Sequence, residues 1–167
     1  MSISTSETFW QRLRSSCHYL LGASLFKSGL AGLHPYIHEK TMRQLQRAAE
    51  HQHPQALLLF GQLLRYKGAT QFNKIAGAGY LRQAAMQGNT DAQFSLAEVL
   101  ADKDLVMTKQ PDESPVDWYL KAAQKGHIIS ALRLSKIYHN GLYGESIDED
   151  QAQYWRDKFM SNSGIES

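Results

Sequence analysis

Four histidines in the first third of the chain come nearest to the spacing of a metal site. His34 and His38 lie four residues apart, and His51 and His53 flank a turn. Zinc needs three or four converging ligands, usually with cysteine or carboxylate groups at recognisable spacing, and that pattern is missing here. We therefore predict that these histidines are solvated or cap helices, and that the protein has no metal site.

Paired carboxylates are the second feature that could do chemistry. Asp112 precedes Glu113, and Asp148 lies two residues before Asp150. General acid–base catalysis needs a pocket that separates the pKa values of two such groups. These pairs lie where we predict helices to begin, and negative charge there opposes the helix macrodipole. No serine, threonine or cysteine has the sequence context of a nucleophile, so we predict that the chain is not an enzyme.

The single cysteine and one glycine-containing stretch complete the search for reactive groups. Cys17 cannot form an internal disulfide, and the sequence pattern described below assigns it to a buried column, where a thiol is inert. The stretch AGAGY, residues 76–80, has neither the strand–turn–helix context nor the following lysine of a phosphate loop, so we predict helix there. The sequence thus gives no reason to expect a cofactor.

Composition excludes several classes of protein. The 167 residues are 43% hydrophobic, which permits a folded core, and the formal net charge of +2 comes from interleaved acids and bases. This balance argues against binding to nucleic acid or a membrane surface. The apolar segment 19–26 is too short to span a bilayer. We expect a cytoplasmic protein of bacterial type and leave a periplasmic location open.

Three alanine pairs reveal an internal repeat. Ala48–Ala49, Ala84–Ala85 and Ala122–Ala123 are separated by 36 residues (84 − 48) and 38 residues (122 − 84). Periods of this length are typical of helical repeats. Alanine in these positions allows neighbouring helices to approach closely, so we predict that the pairs are buried.

The residues after each alanine pair agree column by column. One column is small in every copy, and the column four residues later is large and apolar; they contain, respectively, Ala56, Ala92 and Ser130, and Phe60, Leu96 and Leu134. This spacing lies along one face of a helix. Cys17 and Leu21 fit the same two columns, 39 residues upstream of the first copy. At the other end, Trp155 follows Trp118 by 37 residues.

These columns predict an all-α fold, a right-handed α-solenoid of about four antiparallel helix pairs. The first helix of each pair, helix A, is predicted at 7–28, 54–67, 90–102 and 127–140. The second, helix B, is predicted at 36–51, 73–87, 115–125 and 149–160. We predict one domain over 1–160, with units at 7–51, 54–87, 90–125 and 127–160, followed by a flexible tail at 161–167.

Residues at the predicted helix ends agree with this division. Gly88 and Gly126 follow helices B, where a left-handed residue is needed. Pro54 and Pro115 suit the first turn of a helix. Ser4 and Glu7 have the spacing of a capping box, Asp91 lies near the start of a helix, and the acidic run 148–150 suits another helix start.

The repeated residues resemble those of the Sel-one-like repeat family, a branch of the tetratricopeptide-like α-solenoids. The resemblance rests on ALLLFGQLL, DAQFSLAEVL, DWYLKAAQKG and DEDQAQYWRDK and covers roughly residues 40–160. It implies an adaptor or scaffold in protein assemblies rather than an enzyme. The sequence departs from the family pattern where Gln52 replaces a turn glycine, Pro115 a helical alanine and Phe159–Met160 the last alanine pair. The connection from Ala101 to Ser114 also lacks the glycine-rich turn of the family.

The helix A face opposite the core is the predicted binding surface. A curved stack of helices offers a concave surface there, where a protein or peptide could bind. An acidic stripe on the third helix A would lie beside a basic stripe on the fourth, and ordinary ion pairs between them are the alternative explanation. The candidate residues are Gln62, Tyr66, Asp91, Glu98, Asp102, Arg133, Lys136 and Asn140.

We therefore predict a non-enzymatic protein-interaction module whose partner is another protein or peptide. An immunity-like inhibitor of a toxin enzyme is one alternative, and a hydrolase on a helical-repeat scaffold is another, although the single cysteine argues against the disulfide-rich branch for which such activity has been proposed. We expect no nucleic-acid partner, no membrane insertion, and a monomer or weak homodimer. Phe159 and Met160 could cap the last helix pair by packing inward, or could form an exposed patch for self-association.

Overall fold

The computed structural model describes residues 5–29, 35–67, 70–102 and 113–164, and every regular element among them is an α-helix. The helices are α1 (Thr5–Lys27), α2 (Pro35–Glu50), α3 (Pro54–Lys67), α4 (Gln71–Met86), α5 (Thr90–Ala101), α6 (Pro115–Gln124), α7 (Ile128–Asn140) and α8 (Glu149–Ser163). The predicted all-α class is confirmed, and each predicted helix boundary lies within three residues of the observed one. In these ranges, no helix combines the length and the apolar character needed to cross a membrane.

The chain divides into two compact units, Met1–Ala84 and Ala85–Ser167. The boundary falls near the end of α4, so the first unit contains α1 to α3 and most of α4, and the second contains α5 to α8. Each unit is described by itself below. The single domain at 1–160 stays a prediction.

Helices of the first unit approach one another through glycine. A Cβ atom added at Gly22 in α1 would lie 2.9 Å from the side chain of Leu45 in α2. A Cβ atom at Gly61 in α3 would lie 2.9 Å from Leu81 Cγ in α4. Both leucines are fully buried, so each glycine gives a leucine of the neighbouring helix room to pack.

The second unit has a core rich in aromatic residues. Its buried members are Ala97, Val116, Tyr119, Ala131, Leu134, Ile137 and Trp155. Half-buried aromatic side chains, among them Phe94, Trp118 and Phe159, pack against this cluster. Helices α5 to α8 therefore bury their apolar faces against one another in chain order.

Most residues of the small columns are buried as predicted, but Ala123 is only partly buried and Cys17 is exposed. Ala84, Ala85 and Ala122 are at most 1% exposed, whereas Ala123 is only half-buried. The column of Ala56, Ala92 and Ser130 is completely buried. The prediction for Cys17 is wrong because this residue of α1 is exposed. The side of the helix that holds this column is buried in α3, α5 and α7, whereas in α1 it is exposed to solvent.

The turns between helix pairs keep one backbone shape even where the sequence departs from glycine. Gly88 and Gly126 have φ angles of 88° and 86°, as their positions after helices predict. Gln52, which replaces the glycine in the first such turn, has a φ angle of 60°. A residue with a side chain is thus held in the left-handed region because the repeat requires this turn. Ser4 of the predicted capping box lies outside the described residues.

The burial of aromatic residues in α8 differs from the predicted alignment of this helix with α6. Trp155 is buried like Tyr119, 36 residues earlier (155 − 119), whereas Trp118 is half-buried. A lysine ammonium lies over the preceding ring of each pair: Lys121 over Trp118 at 4.1 Å, and Lys158 over Tyr154 at 5.6 Å. By burial, Trp155 therefore corresponds to Tyr119 rather than to Trp118, whereas Lys121 and Lys158 keep the predicted spacing of 37 residues (158 − 121).

The last helix of the second unit, α8, exposes mainly polar side chains. Phe159 is half-buried and packs against the core, and Met160 is half-buried, which agrees with inward packing. The outer positions of α8 are exposed and mostly polar. Helix α8 continues to Ser163, so the segment predicted as a tail begins with helix, and residues 165–167 lie outside the described ranges.

Candidate functional site

The predicted binding residues lie in both units. Gln62 and Tyr66 belong to α3 in the first unit, where Gln62 is half-buried and Tyr66 is exposed. Arg65 donates a hydrogen bond from Nη1 to the Tyr66 hydroxyl at 3.0 Å, and its guanidinium lies over the Tyr66 ring. The remaining six residues lie in the second unit, on or next to α5 and α7.

Helix α7 carries the clearest exposed stripe. Ile129, Arg133, Lys136 and Asn140 are all exposed, and their spacing places them along one side of the helix. Asn140 Nδ2 donates a hydrogen bond to the backbone carbonyl of Lys136, which stabilises the last turn. This stripe of four residues, called the α7 stripe below, presents apolar, cationic and amide groups together.

The corresponding side of α5 is only partly exposed. Asp91 in the first turn is exposed, as is Asp102, the C-cap residue. Ser95, which lies between them on the predicted face, is 4% exposed, and Glu98 is half-buried. The predicted acidic stripe is therefore interrupted at its centre.

Glu98 and Arg133 interact with each other across the predicted binding face. Arg133 donates from Nε to Glu98 Oε1 at 2.8 Å and from Nη2 to Oε2 at 3.1 Å. The Tyr119 hydroxyl donates to the same Oε1 atom at 2.6 Å. These three groups, called the Tyr119 network below, join α5, α6 and α7. The ion pair anticipated between the acidic and basic stripes is thus present at this position.

Burial determines the protonation behaviour of the Tyr119 network. Desolvation, with the hydrogen bond to Glu98 and the charge of Glu98, raises the pKa of Tyr119 far above its usual value. Burial by itself would lower the pKa of Arg133, but the hydrogen bond and charge of Glu98 outweigh this effect and raise it. Tyr119 therefore remains a neutral donor and Arg133 remains a cation at physiological pH.

Tyr119 and Tyr143 were not among the residues singled out from the sequence. Tyr119 lies within the repeated motif DWYLKAAQKG, but the motif does not reveal the partner of its hydroxyl. Tyr143 lies in the segment between α7 and α8, is 46% exposed, and has a φ angle of 59°. Its phenol is near enough to raise the pKa values of both Tyr119 and Arg133.

Three residues in one repeat column cap helices A with their side chains. Asn89 Oδ1 accepts a hydrogen bond from the Ala92 backbone N–H at 2.9 Å. His53 Nδ1 accepts from Ala56 N–H at 3.3 Å, and His127 Nδ1 from Ser130 N–H at 3.1 Å. His53 thus caps a helix, which is one of the two roles predicted for these histidines. Histidine is an uncommon cap, so the pattern is hard to detect without the aligned asparagine.

The two capping histidines share a second contact. Tyr19 of α1 stacks on His53, and Phe94 of α5 stacks on His127, with ring centroids 4.5 Å apart in both cases. Burial lowers the pKa of His53 and of His127, and the charge of Asp91 partly opposes this effect at His127. Both imidazoles are thus held in the neutral form, which leaves Nδ1 able to accept the hydrogen bond.

Two of the carboxylates considered for catalysis have structural roles. Asp148 caps α8 by accepting from Gln151 N–H, and Glu113 accepts from Trp118 Nε1 at 3.0 Å. Asp112 and His34 lie outside the described residues. Within the ranges that the structure covers, no three His, Cys, Asp or Glu residues lie together as a metal site would require.

Comparison with known proteins identifies the repeat. Neither a protein-family model nor a curated protein matches the sequence. A solved Sel1 repeat protein from Oxalobacter formigenes is similar, with 28% identity, a TM-score of 0.61, and coverage of 77% of this chain and 50% of that one. A Pseudomonas aeruginosa protein shares the fold at 21% identity and a TM-score of 0.51, over 73% of this chain and 45% of that one.

This chain therefore spans about half the length of the solved structures that it matches. The similarity agrees with the repeat seen in the sequence, with the buried small columns and with the helix pairs. The fold is that of a helical-repeat scaffold. On these grounds the chain is similar to Sel1 repeat proteins and shares their helical-repeat fold.

Proposed function

We propose that this chain is a non-enzymatic protein-interaction module that binds a protein or peptide through the α7 stripe. The observation that carries the proposal is the arrangement of α7, which exposes Ile129, Arg133, Lys136 and Asn140 along one side. Helical-repeat scaffolds commonly bind their partners through helix faces of this kind.

The Tyr119 network supports this proposal by fixing the central residue of the stripe. The guanidinium of Arg133 is held by two hydrogen bonds to Glu98, and Glu98 is held by Tyr119. A side chain that is already ordered loses less conformational entropy when a partner binds. The α7 stripe therefore offers a preorganised surface, although its residues are exposed.

The composition of the stripe suggests what a partner would present. Lys136 is an exposed cation, whereas the charge of Arg133 is largely balanced by Glu98. Ile129, at the N-terminal end of the stripe, exposes 44% of its surface. A partner segment with an acidic side chain near Lys136 and an apolar side chain near Ile129 would complement both groups.

Two variants test the surface without disturbing the Tyr119 network. Ile129→Ser with Lys136→Glu changes the two residues of the stripe on either side of Arg133. Phe72→Ser with Lys74→Glu is the matched control, because it makes the same kinds of change at exposed positions of α4. The wild-type chain and both variants would be used as bait, and captured proteins would be quantified by mass spectrometry.

We expect a specific partner to be retained by the wild-type chain and the control and lost by the α7 variant. Retention by both variants would contradict the assignment of the stripe. Capture of one stoichiometric toxin-like enzyme that the purified chain inhibits would instead establish the immunity-like alternative.

A further inference from the structure

The end of α7 contains two neighbouring residues whose groups can react with each other. Asn140 is the last residue of the helix, and Gly141 follows it as the C-cap residue. Asparagine is one of the thermolabile residues of proteins, because the backbone nitrogen of the next residue can attack its side-chain carbonyl carbon. Glycine hinders that nitrogen least, since it has no side chain. The other three asparagines of the sequence, Asn73, Asn89 and Asn162, precede lysine, threonine and serine.

The fold requires glycine at the second position of this pair. Gly141 has a φ angle of 62°, in the left-handed region in which many helices end. A Cβ atom there would lie 3.1 Å from Ile147 Cγ1 and 3.2 Å from Glu145 O, so there is little room for a side chain. The turn that follows α7 therefore determines that the neighbour of Asn140 is a glycine.

Hydrogen bonds at the end of α7 hold both of the groups that would react. Asn140 is exposed to solvent, and its Nδ2 donates to the Lys136 carbonyl at 2.8 Å. The Gly141 N–H donates to the Ile137 carbonyl. Both bonds belong to the last turn of the helix, and helix ends open at a much lower free energy than the core. The reaction therefore requires the opening of this turn and not the unfolding of the chain.

We propose that Asn140 deamidates spontaneously in the folded chain, at a rate set by the opening of the last turn of α7. The Gly141 nitrogen gives up its proton and bonds to Asn140 Cγ, the bond between Cγ and Nδ2 breaks, and the amide leaves as ammonia. Water then opens the resulting succinimide ring. Attack of water at Cγ gives aspartate, and attack at the backbone carbonyl carbon gives isoaspartate. Water replaces ammonia in the net reaction, so no oxidant or reductant is needed.

Either product changes the C-terminal end of the α7 stripe. A carboxylate cannot donate a hydrogen bond to the Lys136 carbonyl, and negative charge at the C-terminal end of a helix is unfavourable with the macrodipole. The last turn should therefore open more readily after the reaction. The new charge also lies four residues from Lys136, the cation that we assign to an acidic group of the partner. This consequence for binding rests on the proposed function, whereas the reaction does not.

Peptide mapping by mass spectrometry tests the reaction. The purified chain would be incubated at physiological temperature and mildly alkaline pH, with and without guanidinium chloride, and sampled over several weeks. Asn162 is the internal control, because it is also exposed near the end of a helix but precedes serine. In the folded chain we expect Asn140 to convert faster than Asn162. In denaturant the conversion of Asn140 should be on the order of tenfold faster, since both hydrogen bonds are then broken.

Two outcomes of this experiment would overturn the proposal. If Asn140 converts in denaturant but no faster than Asn162 in the folded chain, the last turn of α7 does not open often enough for the reaction. If Asn140 converts at the same rate with and without denaturant, the hydrogen bonds at the end of α7 do not control the reaction.

Asn140→Asp tests the expected effect of the product on the last turn of α7. The protection factor of the Gly141 N–H, measured by hydrogen exchange, should fall in this variant, because the hydrogen bond to the Lys136 carbonyl is lost. Asn162→Asp is the matched control and should leave that protection factor unchanged. Equal protection in Asn140→Asp and the wild type would contradict the role assigned to the Asn140 side chain. Neither measurement involves a partner, so these tests and the test of the proposed function can fail independently.

Discussion

In the first unit, Gly22 and Gly61 occupy the helix A column that Ala97 and Ser135 occupy in the second. The neighbouring helix B column changes with it, from Leu45 and Leu81 to the larger Tyr119. The first unit thus gains close helix contacts by omitting side chains, whereas the second unit uses an aromatic core and a hydrogen-bonded network. One repeat pattern can therefore be stabilised in two ways, and mutations at corresponding positions should have different effects.

The largest effect is expected at the glycine contact of the first unit. A Cβ atom at Gly77 would lie 2.7 Å from Gly61 O and 2.9 Å from Arg65 N, and backbone atoms cannot move aside easily. Gly77→Ala should lower the free energy of unfolding by about 1–3 kcal/mol through overpacking. This loss outweighs a gain of about 1 kcal/mol from the higher helix propensity of alanine. Urea denaturation would measure the difference.

Gly79→Ala is the control for this prediction because it lies two residues away in the same helix. A Cβ atom there would meet nothing within 4 Å. The variant should be more stable than the wild type by about 0.5–1 kcal/mol, since alanine restricts the unfolded chain. If Gly77→Ala is also stabilising, the close approach of α3 and α4 is wrong.

The next largest effect is expected in the Tyr119 network of the second unit. Tyr119→Phe keeps the ring in the core but removes the hydrogen bond to the Glu98 carboxylate. We expect the free energy of unfolding to fall by about 1.5–2 kcal/mol, at the lower end of the range for a hydrogen bond to a charged group, because the Glu98 side chain is 21% exposed. Tyr143→Phe should change it by less than about 0.5 kcal/mol, because Tyr143 lies at the surface. If Tyr119→Phe and Tyr143→Phe changed the free energy of unfolding equally, the hydrogen bond from Tyr119 to Glu98 would be contradicted.

A feature shared by both units should make stability depend on pH. The pKa values of His53 and His127 are lower in the folded chain than the ordinary value of about 6.5, so the unfolded chain binds more protons. Their stabilising contribution is complete above about pH 6.5 and is lost as the pH falls through the folded pKa values. Each protonated cap should cost about 1 kcal/mol.

Asn89 makes the same capping hydrogen bond in the equivalent position of the repeat, so replacing the two histidines by asparagine tests these caps. His53→Asn with His127→Asn should keep the capping hydrogen bonds but lose the ability to titrate. The loss of stability between pH 7.5 and pH 5, measured by urea denaturation, should therefore be smaller in the double variant than in the wild type. His51→Asn, at an exposed position outside the cap, should retain the wild-type response. An unchanged response in the double variant would assign the pH dependence to other groups.

The smallest effects are expected at the ion pairs. Glu98 and Arg133 are 21% and 45% exposed, whereas Glu39 and Arg43 on α2 are 67% and 59% exposed. Arg133→Gln should lower the free energy of unfolding by about 0.5–1 kcal/mol and Arg43→Gln by at most about 0.5 kcal/mol. High salt should reduce both differences. A larger loss of stability for Arg43→Gln than for Arg133→Gln would contradict the prediction that the less exposed ion pair contributes more.

The sequence by itself determined the helices and the repeat, because these depend on local spacing. Apolar and small residues recur on one helix face, proline begins α3 and α6, and glycine ends α4 and α6. Helix propensity, capping and periodicity act within a few turns, so they can be predicted from one chain. The spacing of the four residues of the α7 stripe along one side of the helix follows from the same periodicity.

Only the tertiary structure decided which of these residues interact. The hydrogen bond from Tyr119 to Glu98 joins residues 21 positions apart, and the Arg133 ion pair spans 35 positions. The exposure of Cys17, the burial of Trp155 and the left-handed Gln52 likewise depend on whether a neighbouring helix is present and how closely it packs. Burial and pairing between helices are properties of the assembled fold, because they depend on contacts that local sequence spacing does not specify.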